Sequence, residues 1–415
     1  MSGNVVNHDV IVVGGGVAGC ALAARMARAG HDVLVLEREH DYRDQVRGEG
    51  LVAWGLEQAA AMGLGDVVTT TPGASPISRL VNYDETLPVE VARRLARDLS
   101  DVLPGTPGII GVGHPELRTA LAGAASAAGA SVRFAATGAR VIAGERPSVH
   151  YRLGGRRHEA SARLVVVADG KNSATRRALD IPLHVTFARV ILTGLAVDDG
   201  GAWDRAETVI GVEGRNLFYV IPRGGDRVRL YLGRLASDPE RFSGPGRERR
   251  FLDAFALGSL PAHECIVDAT PVGPCASFPM TDSWTSAPLK AGVALIGDAA
   301  GWSNPVTGQG LAVALRDARI LTDAMLAQPR WSPETLAGYV TERAERMRRL
   351  RFASALTDLL AAFGAPNRGE LRARMFARLR AQPELGAAIA AVHTGPWRLP
   401  SSAFSPDILT TLALS

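Results

Sequence analysis

The sequence predicts an α/β protein in which a Rossmann-like unit is interrupted by an antiparallel β-sheet unit and followed by a helical C-terminal segment. Three observations predict it. A glycine-rich loop lies between an apolar strand and a helix at the start of the chain, residues 182–278 read as alternating short strands with turn signals, and α/β texture returns at Gly292.

The elements follow in order. Asp9 to Val13 is an apolar strand, Gly14 to Gly19 a glycine loop, the next stretch a helix stopping near Gly30, and Asp32 to Leu36 a second strand, which together make a βαβ start. Pro115 suits the first turn of a helix that sets Leu117, Leu121 and Ala125 on one face and stops at Gly129, before a short strand around Val132. Ser148 to Leu153 and Arg157 to Ala160 flank Gly154-Gly155 as a hairpin, and Arg163 to Val167 reads as a separate buried strand. His184 to Val197, Thr208 to Val212, Asn216 to Ile221 and Arg227 to Leu235 are the strands of the second unit. In the last of these Val228, Leu230 and Leu232 share one face and Tyr231 lies on the other, the pattern of a sheet with one covered side. Gly292 to Ile296 is again a buried strand, Gly297 to Gly310 a glycine-rich loop, and Leu311 to Leu326 an amphipathic helix. Pro333 to Phe363 and Gly369 to Arg380 are helical, and the basic run Arg343 to Arg351 reads as a solvated helix face.

A chain of 415 residues suits two or three packed units at about 150 residues each. With 47% apolar and 21% charged residues it is of globular composition. Of its 46 basic residues only Lys171 and Lys290 are lysines, and against 42 acidic groups the net charge is only +4, so nucleic acid is not an expected partner. Cys20, Cys265 and Cys275 form no C-x-x-C pair, which predicts reduced thiols and a cytoplasmic location. Cys20 reads as a small buried hydrophobe. No metal is expected, because the nine histidines form no ligand pattern. Nor is a membrane span, because no apolar run is long enough.

The first chemical motif is Gly14-Gly15-Gly16-Val17-Ala18-Gly19, a G-x-G-x-x-G placed after a strand and before a helix. Gly14 permits the tight turn, Gly16 lets the backbone approach a pyrophosphate, and Gly19 lets the helix pack closely. The helix N-terminus supplies amide donors and partial positive charge. Glu37 ends the next strand, at the spacing of an acid that bonds a ribose hydroxyl. This motif alone leaves NAD and FAD open.

Two further motifs decide for FAD. Leu164-Val165-Val166-Val167-Ala168-Asp169-Gly170, followed by Ser173 and Arg176, resembles the Asp-Gly motif of the class A flavin monooxygenases, the para-hydroxybenzoate hydroxylase-like family. Taken alone, Asp169 reads equally as a turn or capping carboxylate. Gly297-Asp298-Ala299-Ala300 and Pro305-Val306-Thr307-Gly308-Gln309-Gly310 match that family's Gly-Asp-Ala-Ala and Pro-x-x-Gly-Gln-Gly elements in order and spacing. Asp298 at a strand end can accept a ribityl hydroxyl, and the amides around Gly308, Gly310 and Leu311 can face the negative charge of a reduced flavin.

The resemblance covers about residues 8–327. It implies a FAD-binding domain (1–75, 105–180 and 279–330), a substrate domain (76–104 and 181–278) and a C-terminal helical region (331–415). It also implies a monooxygenase that takes hydride from NADPH or NADH, forms a C4a-hydroperoxyflavin with O2 and hydroxylates an aromatic or other secondary-metabolite small molecule. A reductase or dehydrogenase of the same fold, or a non-catalytic FAD- or ligand-binding protein, are the alternatives. By motif position Ala18, Arg38, Arg47 and Arg118 join the cofactor residues, while Trp54, Tyr219, Tyr231 and Pro305 are candidates to line a substrate site. No catalytic residue is nominated. The chain departs from the family at Gly301, where many relatives carry histidine, and at Ala312, where many carry asparagine. It contains no Trp-x-Trp-x-Ile-Pro sequence, which counts against the related halogenases.

Overall fold

The computed structural model describes residues 6–414. Five parallel strands, in the order Ser131–Arg133, Val33–Leu36, Val6–Val13, Arg156–Val167 and Val293–Leu295, form the first sheet, and antiparallel Leu289–Lys290 closes one edge. Its central strands end in apolar runs, Val10–Val13, Val33–Leu36, Leu164–Val167 and Val293–Leu295, because both faces are covered there. Val10 and Val12 face the core under the helix Val17–Arg28, while Ile11 and Val13 face a second core on the opposite side. The last parallel strand arrives only after the whole second sheet has been traversed. All four central strands end at the same edge, and Gly14, Glu37, Ala168 and Gly297 lie there together.

One correction concerns Arg163 to Val167. It is no separate strand but the buried end of a single strand, Arg156–Val167. The exposed first part pairs with Ser148–Leu153 across the turn at Gly154-Gly155, and the second part enters the parallel sheet. A continuous strand wastes no backbone hydrogen bonds at the boundary.

The second sheet runs antiparallel through Val190–Asp198, Arg227–Leu235, Asn216–Pro222 and Glu207–Glu213. It then adds Arg79–Asp84 in parallel with Glu207–Glu213. Here the one-sided expectation fails. Val228, Leu230 and Leu232 pack on Phe251 and Phe255, but Tyr231 on the reverse face is buried too, against Tyr219, Val46 and Val306 from the first unit. Arg229 beside it is wholly buried, and its guanidinium pairs with Glu49 at 3.0 Å and with Asp44. Loops of the first unit thus cover the second face, and charge pairing makes a buried arginine tolerable there.

After Gly310–Leu326 the helices Ala337–Ala361 and Arg368–Ala381, with Ala387–Thr394 and Pro406–Ala413, enclose a small core around Phe352, Leu356, Met375 and Phe404. Among the described residues no helix is long and apolar enough to cross a membrane.

Candidate functional site

The site lies along the carboxyl ends of the parallel strands, where an open α/β sheet receives ligands. Gly14 has φ of +107°, and a Cβ there would lie 2.4 Å from the Ala168 carbonyl oxygen. A Cβ at Gly19 would lie 2.1 Å from the Gly14 carbonyl oxygen. Both close approaches exclude any other residue. Gly16 is different, since a Cβ there would meet nothing within 4 Å, and the same holds at Gly308 and Gly310. These three leave backbone bare toward open space. Ala18 is buried, its Cβ directed at Gly297. Cys20 gives its thiol to the Gly15 carbonyl oxygen at 3.2 Å, and burial pushes that thiol up to about 12, so it is held as a neutral buried group.

Glu37 and Arg118 meet, with 3.4 Å between Arg118 Nη2 and Glu37 Oε2. Glu37 also accepts the Gly15 and Glu39 amides, each at 2.9 Å. Four lone-pair sites on a carboxylate leave room for a further donor. Arg118 stacks 3.9 Å from the Tyr42 ring, and Tyr42 donates to the Gly15 carbonyl oxygen at 2.6 Å, so that three side chains brace the glycine loop. Arg38 is not part of this group. It points outward, 74% exposed, toward Glu39.

At the other end Asp298 follows Gly297, and a third of its side chain remains open while the rest lies deep in protein. Burial pushes its carboxyl up, against the pull of Arg47, Lys171 and Arg343. Arg47 Nη1 stands 4.0 Å from Asp298 Oδ2, and the Lys171 ammonium lies 4.5 Å from the centre of the Trp302 ring. Asp169 accepts the Thr175 amide at 3.2 Å through Oδ2, while its buried Oδ1 has no partner among the described residues. Arg176 spans the Asp-Gly and Gly-Asp-Ala-Ala motifs, reaching the Ala299 carbonyl oxygen at 3.2 Å. Leu311 is buried in the first turn of the helix Gly310–Leu326, beside the exposed Gly310.

The two departures from the family motifs have local causes. Gly301 has φ of +111°, and a Cβ there would lie 2.4 Å from the Ser283 carbonyl oxygen, so no histidine fits. Ala312 is buried with its Cβ 2.7 Å from where a Cβ of Gly55 would sit, a helix crossing that admits only small residues.

Of the four candidates for a substrate wall, Trp54 is fully buried and gives its indole N–H to Gln309 Oε1 at 2.9 Å, which places it beneath the loop. Tyr219 and Tyr231 meet edge to face at 6.5 Å, and the Tyr219 hydroxyl lies 3.5 Å from the Val306 carbonyl oxygen. Pro305 opens the short turn Pro305–Thr307 and is partly exposed.

The basic run is not the expected solvated face at Arg343 and Arg346. Arg343 and Arg346 are each only 2% exposed. Arg343 donates to the carbonyl oxygens of Ala300 at 3.0 Å, Gly297 at 3.2 Å and Gly301 at 2.7 Å, and to Asp317 Oδ2 at 2.9 Å. Asp317 accepts the Gly297 amide at 2.8 Å and Arg346 at 2.6 Å. Burial pushes the Asp317 carboxyl up, but the two guanidiniums together hold it below the usual carboxylate range. One helix therefore fixes the whole Gly297–Gly301 loop. Charge density along a helix does not reveal this, because the carbonyl oxygens that Arg343 reaches belong to another element.

Bare backbone at Gly16, Gly308 and Gly310, the unpartnered Asp169 oxygen and the partly open Asp298 carboxylate suit a long ligand with a phosphate and hydroxyl groups. The model of the FAD binding domain family matches residues 7–353. The chain belongs to this FAD-binding family. Among relatives of this flavoprotein, a digeranylgeranylglycerophospholipid reductase of Methanopyrus kandleri is 28% identical over 330 residues, 76% of each chain. A squalene monooxygenase of Mus musculus is 30% identical over 325 residues, covering 76% of this chain and 54% of its own. The structure of p-nitrophenol 4-monooxygenase from Pseudomonas putida superposes with a TM-score of 0.79 at 18% identity, over 95% of this chain and all of that one. The fold is that of the class A flavin monooxygenases, and the flavoprotein is of a FAD-dependent oxidoreductase family.

Proposed function

We propose that this flavoprotein is a monooxygenase that uses NADPH or NADH and O2 to oxygenate an aromatic small molecule. The observation that carries the reading is the packing of Val306, from the Pro-x-x-Gly-Gln-Gly loop, on Tyr219 and Tyr231 of the second sheet. The loop suited to a flavin ring and the aromatic face suited to a substrate ring are thereby neighbours. The Gly14–Gly19 loop and its helix would hold the pyrophosphate, Glu37 a ribose hydroxyl, Asp298 a ribityl hydroxyl, and the amides at Gly310 and Leu311 the negative end of the ring system. Bound FAD supplies the hydride acceptor and the oxygen chemistry. The chain's own residues align the two rings and exclude water, and Arg343 keeps the loop from shifting under the charge that develops beside it.

The test is to load the purified protein with FAD and screen aromatic compounds for stimulated NAD(P)H oxidation. Oxygen uptake matched mole for mole by a product one oxygen heavier supports the reading. A second reading is favoured by the similarity to the Methanopyrus kandleri reductase. A flavin-dependent reductase would reduce its substrate equally well without oxygen, and a binding protein would show no stimulation at all.

A further inference from the structure

The helix Gly310–Leu326 opens on Gln309, which is wholly buried although it is polar. Its side-chain amide is clamped at both ends, Oε1 accepting the Trp54 indole N–H at 2.9 Å and Nε2 donating to the Thr307 carbonyl oxygen. An indole N–H can only donate, so it fixes which way the amide is turned: the oxygen faces Trp54, and the amino group is left to hold Thr307. The opposite orientation would set N–H against N–H and carbonyl against carbonyl. Trp54, itself fully buried, thereby sets the path of the loop from Thr307 into the helix.

Trp54 is backed in turn. Trp397, in the turn Pro396–Arg398, meets it edge to face at 5.4 Å, and the Arg316 guanidinium lies 3.4 Å over the Trp397 ring. Arg316 stands about two turns beyond Gln309 on the same helix face, so the chain of contacts leaves this helix at its amino end and returns to it. The turn that carries Trp397 is fixed as well. Arg349 donates to the carbonyl oxygens of Pro396 at 2.9 Å and Leu399 at 2.8 Å, and the Trp397 ring lies so close on Gly395 that a Cβ there would stand 2.6 Å from it. A phenylalanine and a leucine would fill the places of Trp54 and Gln309 with no buried polar group to satisfy. What the polar pair adds is direction.

We propose that Trp54 is a positioning residue for the redox poise of the flavin: acting through Gln309, it aims the first amides of the helix Gly310–Leu326 at the charge that the ring acquires on reduction. The proposal rests on the reading above that these amides face the flavin ring. The N–H groups of a first helical turn have no partner inside the helix and are free to meet a ligand. FAD that takes up two electrons and one proton carries a negative charge on its ring, whereas the oxidised ring is neutral. Amide donors and the partial positive charge of a helix N-terminus therefore favour the reduced form, provided that they are held in place while the charge appears.

The experiment is an anaerobic titration of the FAD-loaded protein with dithionite, in which a reference dye of known potential shares the electrons with the flavin. Trp54→Phe keeps the aromatic body and removes the N–H. Its reduced flavin should lose about threefold more affinity than its oxidised flavin, a fall of ~14 mV in the two-electron midpoint potential. Gln309→Leu should lower the potential at least as far, and adding Trp54→Phe to it should change nothing more, because the indole acts through that side chain. Leu56→Ala, a truncation in the same helix as Trp54 that leaves the indole in place, should destabilise the fold without moving the potential. An unchanged potential in Trp54→Phe, a full further shift when it is added to Gln309→Leu, or an equal shift in Leu56→Ala overturns the proposal. Should Trp54→Phe not retain FAD, Trp397→Leu carries the test, with a fall in potential expected and an unchanged potential overturning it. The two readings fail separately. A potential lowered by Gln309→Leu but not by Trp54→Phe would remove the role of Trp54 and leave the loop at the flavin, whereas a potential indifferent to both would remove the loop from the ring as well. The titration uses neither substrate nor oxygen, so the oxygenase reading stands or falls on its own assay.

Discussion

Arg343 Nη2 lies 2.7 Å from the carbonyl oxygen of Gly301, although 42 positions separate them and Gly301 has the φ of +111° that admits no side chain. A strained turn is thereby held by a cation from a helix outside the nucleotide-binding motifs. Replacing that cation tests the arrangement. Arg343→Met should loosen FAD binding at least ~10-fold and destabilise the fold by about 3–5 kcal/mol, the usual loss when one partner leaves a buried ion pair. Equilibrium dialysis of FAD and thermal unfolding measure the two effects.

Restoring the residue common among relatives should do harm. Gly301→His must place a side chain against the Ser283 carbonyl oxygen at a positive φ, and strain of this kind costs about 1–3 kcal/mol even before the clash is counted. A drop in thermal midpoint with FAD absent would show that the cost falls on the fold itself.

The two ends of the cofactor site can be tested independently. Asp298→Ala should give a soluble protein that retains FAD poorly, since a third of this carboxylate's side chain stays open at the cleft. Glu37→Ala should weaken binding of adenosine diphosphate as well as FAD, by about tenfold if one charge-assisted hydrogen bond of ~1.5 kcal/mol is lost. Chromatography of released flavin and calorimetric titration with adenosine diphosphate distinguish them. Full FAD affinity in both variants would show the assignments to be wrong.

Stability should fall on mild acidification. Burial lowers His114 to about 3, helped by Arg118 and Arg47, and lowers His393 to about 4, with Arg97 contributing. Among the described residues neither imidazole has a partner at Nδ1. Each is neutral when folded but takes a proton near 6.5 when unfolded, so its contribution is complete above about pH 6.5 and is lost as pH falls toward the folded value. Between about pH 6.5 and 5.5 each should cost up to ~1 kcal/mol, and His114→Gln should remove its share of that slope in denaturant titrations.

What the sequence made legible was whatever depends on near neighbours. The βαβ start, the glycine positions and the motif carboxylates Glu37 and Asp298 are set by spacing along one strand, loop and helix, and they fall at a common edge. Contacts between distant segments were not legible. Arg346 looks like any surface arginine until Asp317 is placed 2.6 Å away. Arg229 alternates correctly with apolar neighbours for a solvated face, yet Asp44 and Glu49 come across to bury it. Trp54 stood near the motifs in sequence, but its hydrogen bond to Gln309 spans 255 positions and turns it inward.

The late arrival of the strand Val293–Leu295 bears on how the chain is made. Until about residue 295 leaves the ribosome, Arg156–Val167 presents a bare apolar edge, with Val165 to Val167 waiting for partners from far along the chain. Long-range parallel pairing is slow, and unpaired edges invite association with other chains. The second sheet, whose strands Glu207–Glu213, Asn216–Pro222 and Arg227–Leu235 are joined by two hairpins, can form in the meantime. The interrupted architecture therefore makes the nucleotide-binding unit close after the second sheet, and its dependence on Arg343 delays its final shape until nearly fifty further residues have been synthesised.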